Sequence, residues 1–318
     1  MMRSTVLCLI LLAAVPRAHA QGLPPYRALN PLVAARSIVG FVPLRDTAAG
    51  WRRAVALDYG NMVEVDERGM VSLAVDAEVM RLTLSASRNL GSRGFLRATA
   101  TWIGAYGGFL DKPVSAFHDL FGFPDGQRPA REDNTFEYRV ALPGENVVER
   151  ESSAGFFGDV AVTGGLLLTP HVQLAATVAL PTRLGPEGYT VETLATALNA
   201  TARSDPLGGR LTLEGSVAIG YTPRQGALAD WQRTTFTAAT AGGRFRFLGR
   251  QSAYVNFFQH SPVYRNTTLP AMDREELTLD MGFLFLLPGG QEIRAGMTED
   301  LLPSGPAVDL VFRIGVRW

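Results

Sequence analysis

The chain has 318 residues, with 30 basic and 30 acidic side chains and a formal net charge of zero. That balance argues against a nucleic-acid partner or a polybasic membrane anchor. With one cysteine and no apolar run of about eighteen residues, neither a disulfide framework nor a transmembrane helix is expected.

Residues 1–20 read as a cleaved Sec-type export signal. Met1-Met2-Arg3 is a short basic start, Leu7–Val15 an apolar core, and Ala18-His19-Ala20 a small-residue cleavage site. Cys8 leaves with the signal and lies too early for a lipobox, so lipidation is not expected. Residues 21–50 are proline-punctuated and are expected to form a periplasmic or plug segment. Within them, Ser37–Val42 could add a strand or lie in a barrel mouth.

From Trp51 onward, apolar and polar residues alternate in block after block, which puts each set on its own face of a strand. Blocks fall at about 51–65, 71–87, 96–106, 156–168, 172–180, 189–203, 211–221, 234–248, 253–257, 277–287, 293–297 and 308–318. The parity slips near Val79-Met80, and a bulge would explain it. The block at 189–203 is weaker, and Leu194 with Leu198 offers a helical alternative.

In the last block Val308, Leu310, Phe312, Ile314, Val316 and Trp318 share one face, opposite Asp309, Arg313 and Arg317. Phe312, Ile314, Val316 and the terminal Trp318 look like the C-terminal signal that the barrel-assembly machinery of Gram-negative bacteria reads.

The pattern predicts an all-β fold: a closed antiparallel transmembrane β-barrel of about 12 strands over 51–318, porin-like and set in outer-membrane lipid. Full closure leaves no edge, the only way a sheet can sit in lipid. With Trp318 placed at the periplasmic end, tight turns at 88–92, 169–170, 204–208, 249–251 and 288–290 fall on the periplasmic side. Longer loops at 66–70, 108–154, 183–189, 222–233, 262–274 and 300–305 fall outside. Trp51, Tyr59, Trp102, Tyr106, Tyr221, Trp231 and Trp318 suit aromatic girdles.

The insertion at 108–154 is expected to be a long extracellular or lumen-folded loop with one short helix. Asp111 would cap it, Pro113 would sit in its first turn and Gly122 would end it. Val114, Phe117, His118 and Phe121 would share a face. Phe136, Tyr138, Val140 and Leu142 then alternate, as a hairpin standing above the membrane or folded inward would.

Val75-Asp76-Ala77-Glu78, followed by Gly107-Gly108-Phe109-Leu110-Asp111, Phe117-His118, Phe121-Gly122-Phe123-Pro124, Arg128 and Asn134, resembles an uncharacterised bacterial outer-membrane β-barrel family (domain of unknown function 3187). The family triplet carries Gly where this chain has Ala77. The resemblance covers most of the mature chain, with specific motifs only in 75–134. It implies the barrel fold and supplies no known activity.

Charge on the lipid face near the midplane costs roughly 2–4 kcal/mol. Parity therefore turns Arg52, Asp58, Glu64, Arg97, Asp159, Arg210, Glu214, Arg244, Arg246, Glu276, Asp280, Glu292, Arg294, Asp309, Arg313 and Arg317 toward the lumen. They could line a passive channel for small solutes, apolar ones among them if Phe109, Phe117, Phe121 and Phe123 fold inward. Alternatively the charges pair across the lumen and make a structural or gated closed barrel. A third reading is a membrane-edge hydrolase using Ser115 and His118. The chain is otherwise read as no enzyme. His118, His171 and His260 have no ligand spacing, so no metal and no cofactor are expected.

Overall fold

The computed structural model describes residues 26–36, 42–45, 50–122, 128–143, 146–185, 190–302 and 308–318. The signal at 1–20 with Cys8, residues 37–41 of the candidate extra strand, and Phe123 and Pro124 of the loop motif lie outside the described residues.

Twelve strands close into one antiparallel ring. They are β1 (Trp51–Arg68), β2 (Val71–Leu90), β3 (Gly94–Tyr106), β6 (Ser153–Thr169), β7 (Val172–Leu180), β8 (Ala195–Arg203), β9 (Leu211–Tyr221), β10 (Thr235–Leu248), β11 (Gln251–His260), β12 (Glu276–Leu286), β13 (Glu292–Asp300) and β14 (Leu310–Arg317). Each pairs with the next, and β14 returns to β1, with Tyr59 opposite Phe312 and Leu57 opposite Ile314. A hairpin, β4 (Glu137–Leu142) and β5 (Asn146–Glu149), stands outside the ring. Among the described residues two α-helices complete the set: α1 (Asp111–Phe121) and α2 (Pro270–Asp273).

Alternation orients the wall. Leu84, Trp102, Leu174, Leu198, Val217, Phe257, Phe312 and Ile314 are exposed on the outer face, where hydrocarbon replaces water. Their neighbours of opposite parity, such as Asp58, Arg81, Gln173, Asn199, Asn256 and Asp280, are buried inside. The chain sits in the outer membrane. Trp51, Trp102 and Tyr221 stand exposed on the outer face. Trp231 instead lies in a 3-10 turn (Ala229–Trp231) and packs against the internal apolar cluster, so it belongs to no girdle.

Several local expectations are corrected. The parity slip in β2 is not a bulge. Its register with β1 runs unbroken from Trp51 opposite Arg88 to Arg68 opposite Val71, and its register with β3 is continuous too. What changes is the surroundings. β1 and β2 are 18 and 20 residues long, about twice the 9–11 that a bilayer requires. Above the membrane, Leu73, Val75, Ala77 and Val79 turn inward onto an apolar cluster, whereas Leu82 and Leu84 lower down turn out to lipid. Register shifts occur between β3 and β6, β6 and β7, and β10 and β11 instead.

The expected long loop at 66–70 is a two-residue turn between Arg68 and Val71. The strand at 189–203 forms, starting later, at Ala195, and Leu198 is extended rather than helical. Helix α1 is capped by Leu110, not Asp111, and ends on Gly122, whose φ of 75° is the left-handed conformation glycine adopts at least cost.

Candidate functional site

The lumen is occupied by the chain's own N-terminal segment. Arg81 on β2 binds Asp58 on β1 at 2.8 Å and also donates to the backbone carbonyls of Ala28 at 2.7 Å and Arg27 at 2.8 Å. Arg313 on β14 holds the other oxygen of Asp58 at 2.6 Å and reaches Asp280 on β12 at 3.1 Å. Thr298 and Tyr254 donate to the same Asp280 oxygen. Charges from four strands, with hydroxyl groups from two more, thus converge on one buried network, and Arg81 presents its donors to the segment's backbone.

The segment answers with its own side chains. Arg27 binds Asp159 at 2.6 Å, and Thr101 donates to the same carboxylate. Tyr26 donates to Glu276 at 3.1 Å. Burial, and then the neighbouring Glu276 carboxylate, push the Tyr26 hydroxyl well above its usual range, so it remains a donor. Arg36 donates to the carbonyls of Thr222, Pro223 and Arg233 at 2.5–2.8 Å. Nearer the periplasmic end, Leu44 N–H donates to Glu214 and Arg45 N–H to Gln173. Thr201 donates to the Val42 carbonyl.

Toward the extracellular end the seal is apolar. Leu29, Leu32 and Val33 of the segment pack with Leu73 and Val75 of β2, Tyr138, Val140 and Leu142 of β4, and Leu269 and Met272 around α2. β4 extends the wall here, with Val140 opposite Leu73 and Tyr138 opposite Val75. The predicted hairpin therefore faces the barrel mouth.

Below the seal lies a cavity of about 190 Å³ that reaches the rim carrying the short turns, at Gly50 and Asn89. Of the residues expected in the lumen, Arg52, Asp58, Arg97, Glu292, Arg294, Arg313 and Arg317 line it. Asp159, Glu214, Glu276 and Asp280 are buried on inward faces and hold the segment or the network. Arg244 lies on the inward face of β10, opposite Thr212. Glu64 lies opposite Val75, on the inward face of the wall above the membrane.

Three placements differ from expectation. Arg210 and Arg246 are exposed at the short-turn rim, where the alternation outlasts the membrane. Asp309 precedes β14 and is taken by Arg128 at 2.5 Å. Sequence reasoning missed Arg81, because a bulge at 79–80 would have hidden its parity. An unbroken β2 groups Arg81 with Thr83, Ser85 and Ser87, all of which line the cavity. Arg27, Arg36 and Arg45 carry no periodic signal at all.

The loop motif forms a second cluster, on the outside of the wall. Tyr59 donates to Glu78, which also accepts from the Leu110 N–H. Asp111 accepts from Asn61 at 2.9 Å, Arg128 at 2.7 Å and the Asn134 N–H at 2.6 Å. Asp76 accepts from Thr135 at 3.0 Å and from Arg131 at 3.3 Å. A β-carbon on Gly108 would collide with the Glu78 carboxylate.

Val114 of α1 packs on Leu310, Tyr59 and Met297 of the outer face. His118 is buried, its Nε2 3.6 Å from Glu299 Oε1. Helix α1 thus leans on the barrel from outside. Phe109, which stacks on Tyr59, and Phe121 are exposed there rather than in the lumen. Ser115 and His118 share this helix, with the imidazole turned to the wall. Among the described residues no group of three or more His, Cys, Asp or Glu could hold a metal ion.

The family model described as a protein of unknown function (DUF3187) matches residues 67–318. Among solved structures, an outer-membrane channel from Pseudomonas putida F1 is 12% identical, with a TM-score of 0.53 over 85% of this chain and 95% of that one. That likeness shows the fold. More distant are the monoaromatic hydrocarbon channel CymD (11% identity, TM-score 0.44, 91% of each chain) and the Pseudomonas putida toluene transporter TodX (10%, 0.41, 84% of this chain and 88% of that one). No curated protein matches significantly.

Proposed function

The chain belongs to the DUF3187 family of proteins of unknown function, and we propose that it is an outer-membrane channel for small solutes, held shut by its own N-terminal segment. Residues 1–20 serve as the export signal in this reading, and 21–50 as the plug. The observation that carries it is the hold on residues 26–36 and 42–45, which interlock with inward-facing groups on β2, β6, β7, β8, β9 and β12. A passive open pore would leave that space to water. Helix α1 lies outside the wall and does not narrow the lumen, and Phe109 and Phe121 are exposed on that outer side.

A permanently closed structural barrel is the second reading, favoured by the four-strand charge network around Asp58 and Arg313. A hydrolase is not favoured, because His118 faces Glu299 and the wall.

Bilayer conductance separates these readings. The chain without its first twenty residues should be nearly silent. Deleting 26–45 as well should give discrete steps, whereas deleting 112–130 instead should leave the parent's silence unchanged. Silence of the 26–45 deletion, with the barrel shown intact by heat-modifiable migration, would overturn the channel reading.

A further inference from the structure

We infer that the periplasmic cavity is a binding site for a small multivalent oxyanion, a solute carrying phosphate or carboxylate groups. This names the solute class for the proposed channel and rests on that reading for passage, though not for binding.

The argument is one of charge and place. The lower part of the cavity is lined by Arg45, Arg52, Arg97, Arg294 and Arg317, against one carboxylate, Glu292. Arg294 and Arg317 share that carboxylate, at 3.3 Å and 3.4 Å. Arg45 directs its terminal nitrogens to the carbonyls of Ser92 and Gly94, which orient its guanidinium without cancelling its charge. The segments outside the described residues, 37–41 and 46–49, contain a single acid, Asp46. Even with Asp46 placed here, five guanidinium groups face two carboxylates.

Positive charge walled by a low-dielectric barrel attracts anions far more strongly than the same charge in water. Guanidinium forks match the geometry of phosphate and carboxylate oxygens, and rings of Arg are a recurring means of selecting anions in pores. Ser87 and Thr163, in register with Arg97 on either side, and the neighbouring Ser85 and Thr99 add hydroxyl groups that accept or donate. Val42 and Phe95 put a small apolar patch in the same wall, which suits the carbon skeleton of an organic anion and leaves its charged groups to the guanidinium side chains.

The test is calorimetric titration of the refolded, detergent-solubilised chain with inorganic phosphate, with citrate and with glucose. Saturable binding of either anion, and none of glucose, is expected; the stronger anion tells phosphate from carboxylate recognition. Arg97→Gln combined with Arg317→Gln should weaken binding tenfold or more, while Arg210→Gln at the exposed rim should not. Should the double variant fail to fold, Arg52→Gln alone serves, with a smaller loss.

Absence of saturable binding by both anions, or affinity unchanged by these variants, would overturn the inference. The two proposals fail separately. Conductance by the 26–45 deletion with no anion binding would sink the site and leave the channel. Anion binding by a barrel that never conducts would do the reverse.

Discussion

Arg81 and Asp58 meet at 2.8 Å on adjacent strands inside the ring, and the same guanidinium carries the backbone of the plug. The wall's charge network and the plug's seat are therefore one object. Removing one partner of a buried pair typically costs about 3–5 kcal/mol, because it strands the other charge. Here Arg313 still holds Asp58, so the loss should fall mainly on the plug. Arg81→Gln should fold, show frequent brief openings in bilayers, and exchange backbone amides faster in 26–36 than the parent. Silence and unchanged exchange would show that the plug is held without Arg81.

The outer cluster makes a separate prediction. Gly108 is a glycine because its backbone lies against the Glu78 carboxylate, and a methyl there must displace it. Glu78 would then lose the Leu110 N–H at the start of α1, and the displaced carboxylate would break its contact with Tyr59. Leaving a buried donor unsatisfied costs about 1–3 kcal/mol. Gly108→Ala should therefore speed amide exchange across 107–122 roughly tenfold or more while leaving conductance as in the parent. A change in conductance with an undisturbed α1 would contradict the placement of this loop outside the wall.

How much of this was legible in the sequence follows from the range of each interaction. The twelve strands were legible because period-two alternation is local, and each strand's neighbour is mostly the next one along the chain. The failure in β2 came from assuming that one side of the wall is apolar throughout. Leu73 and Leu84 are both apolar residues in apolar surroundings, one over the plug and one in lipid, and only length betrays the change. The plug was illegible in detail because Arg27 finds Asp159, and Leu44 finds Glu214, across more than a hundred residues. The loop motif was visible as a motif. Its side of the wall was not, since a turn of chain at Gly107-Gly108 can lead outward or inward with equal local cost.

Orientation can be checked with single cysteines, because the one native cysteine, Cys8, falls in the proposed export signal. Met70 is almost fully exposed at the tip of the β1–β2 hairpin, and Ser92 lies in the turn between β2 and β3. Short turns on the side of the termini and long connections on the other place that second turn in the periplasm. In intact cells, Met70→Cys should react with a membrane-impermeant maleimide and Ser92→Cys should not, until the outer membrane is breached. The reverse pattern would invert the barrel and with it the direction in which the basic cavity opens.

The last prediction concerns adjacent residues on β14. Ile314 is exposed on the outer face opposite Leu57, while Arg313 is buried inside on Asp58 and Asp280. One step along the strand thus separates a place where charge is tolerated from one where it is not. Arg at Ile314 would have to desolvate into hydrocarbon, at about 2–4 kcal/mol near the midplane and less toward the interfaces. Arg313→Leu removes a buried cation and leaves Asp58 to Arg81 and Asp280 to Thr298 and Tyr254. Reversible urea unfolding in lipid vesicles should show both variants destabilised, by different routes. The cost of Ile314→Arg should shrink in thinner bilayers, which bring the interface closer, whereas the cost of Arg313→Leu should not depend on thickness. Equal dependence on thickness would mean that residue 314 does not face lipid.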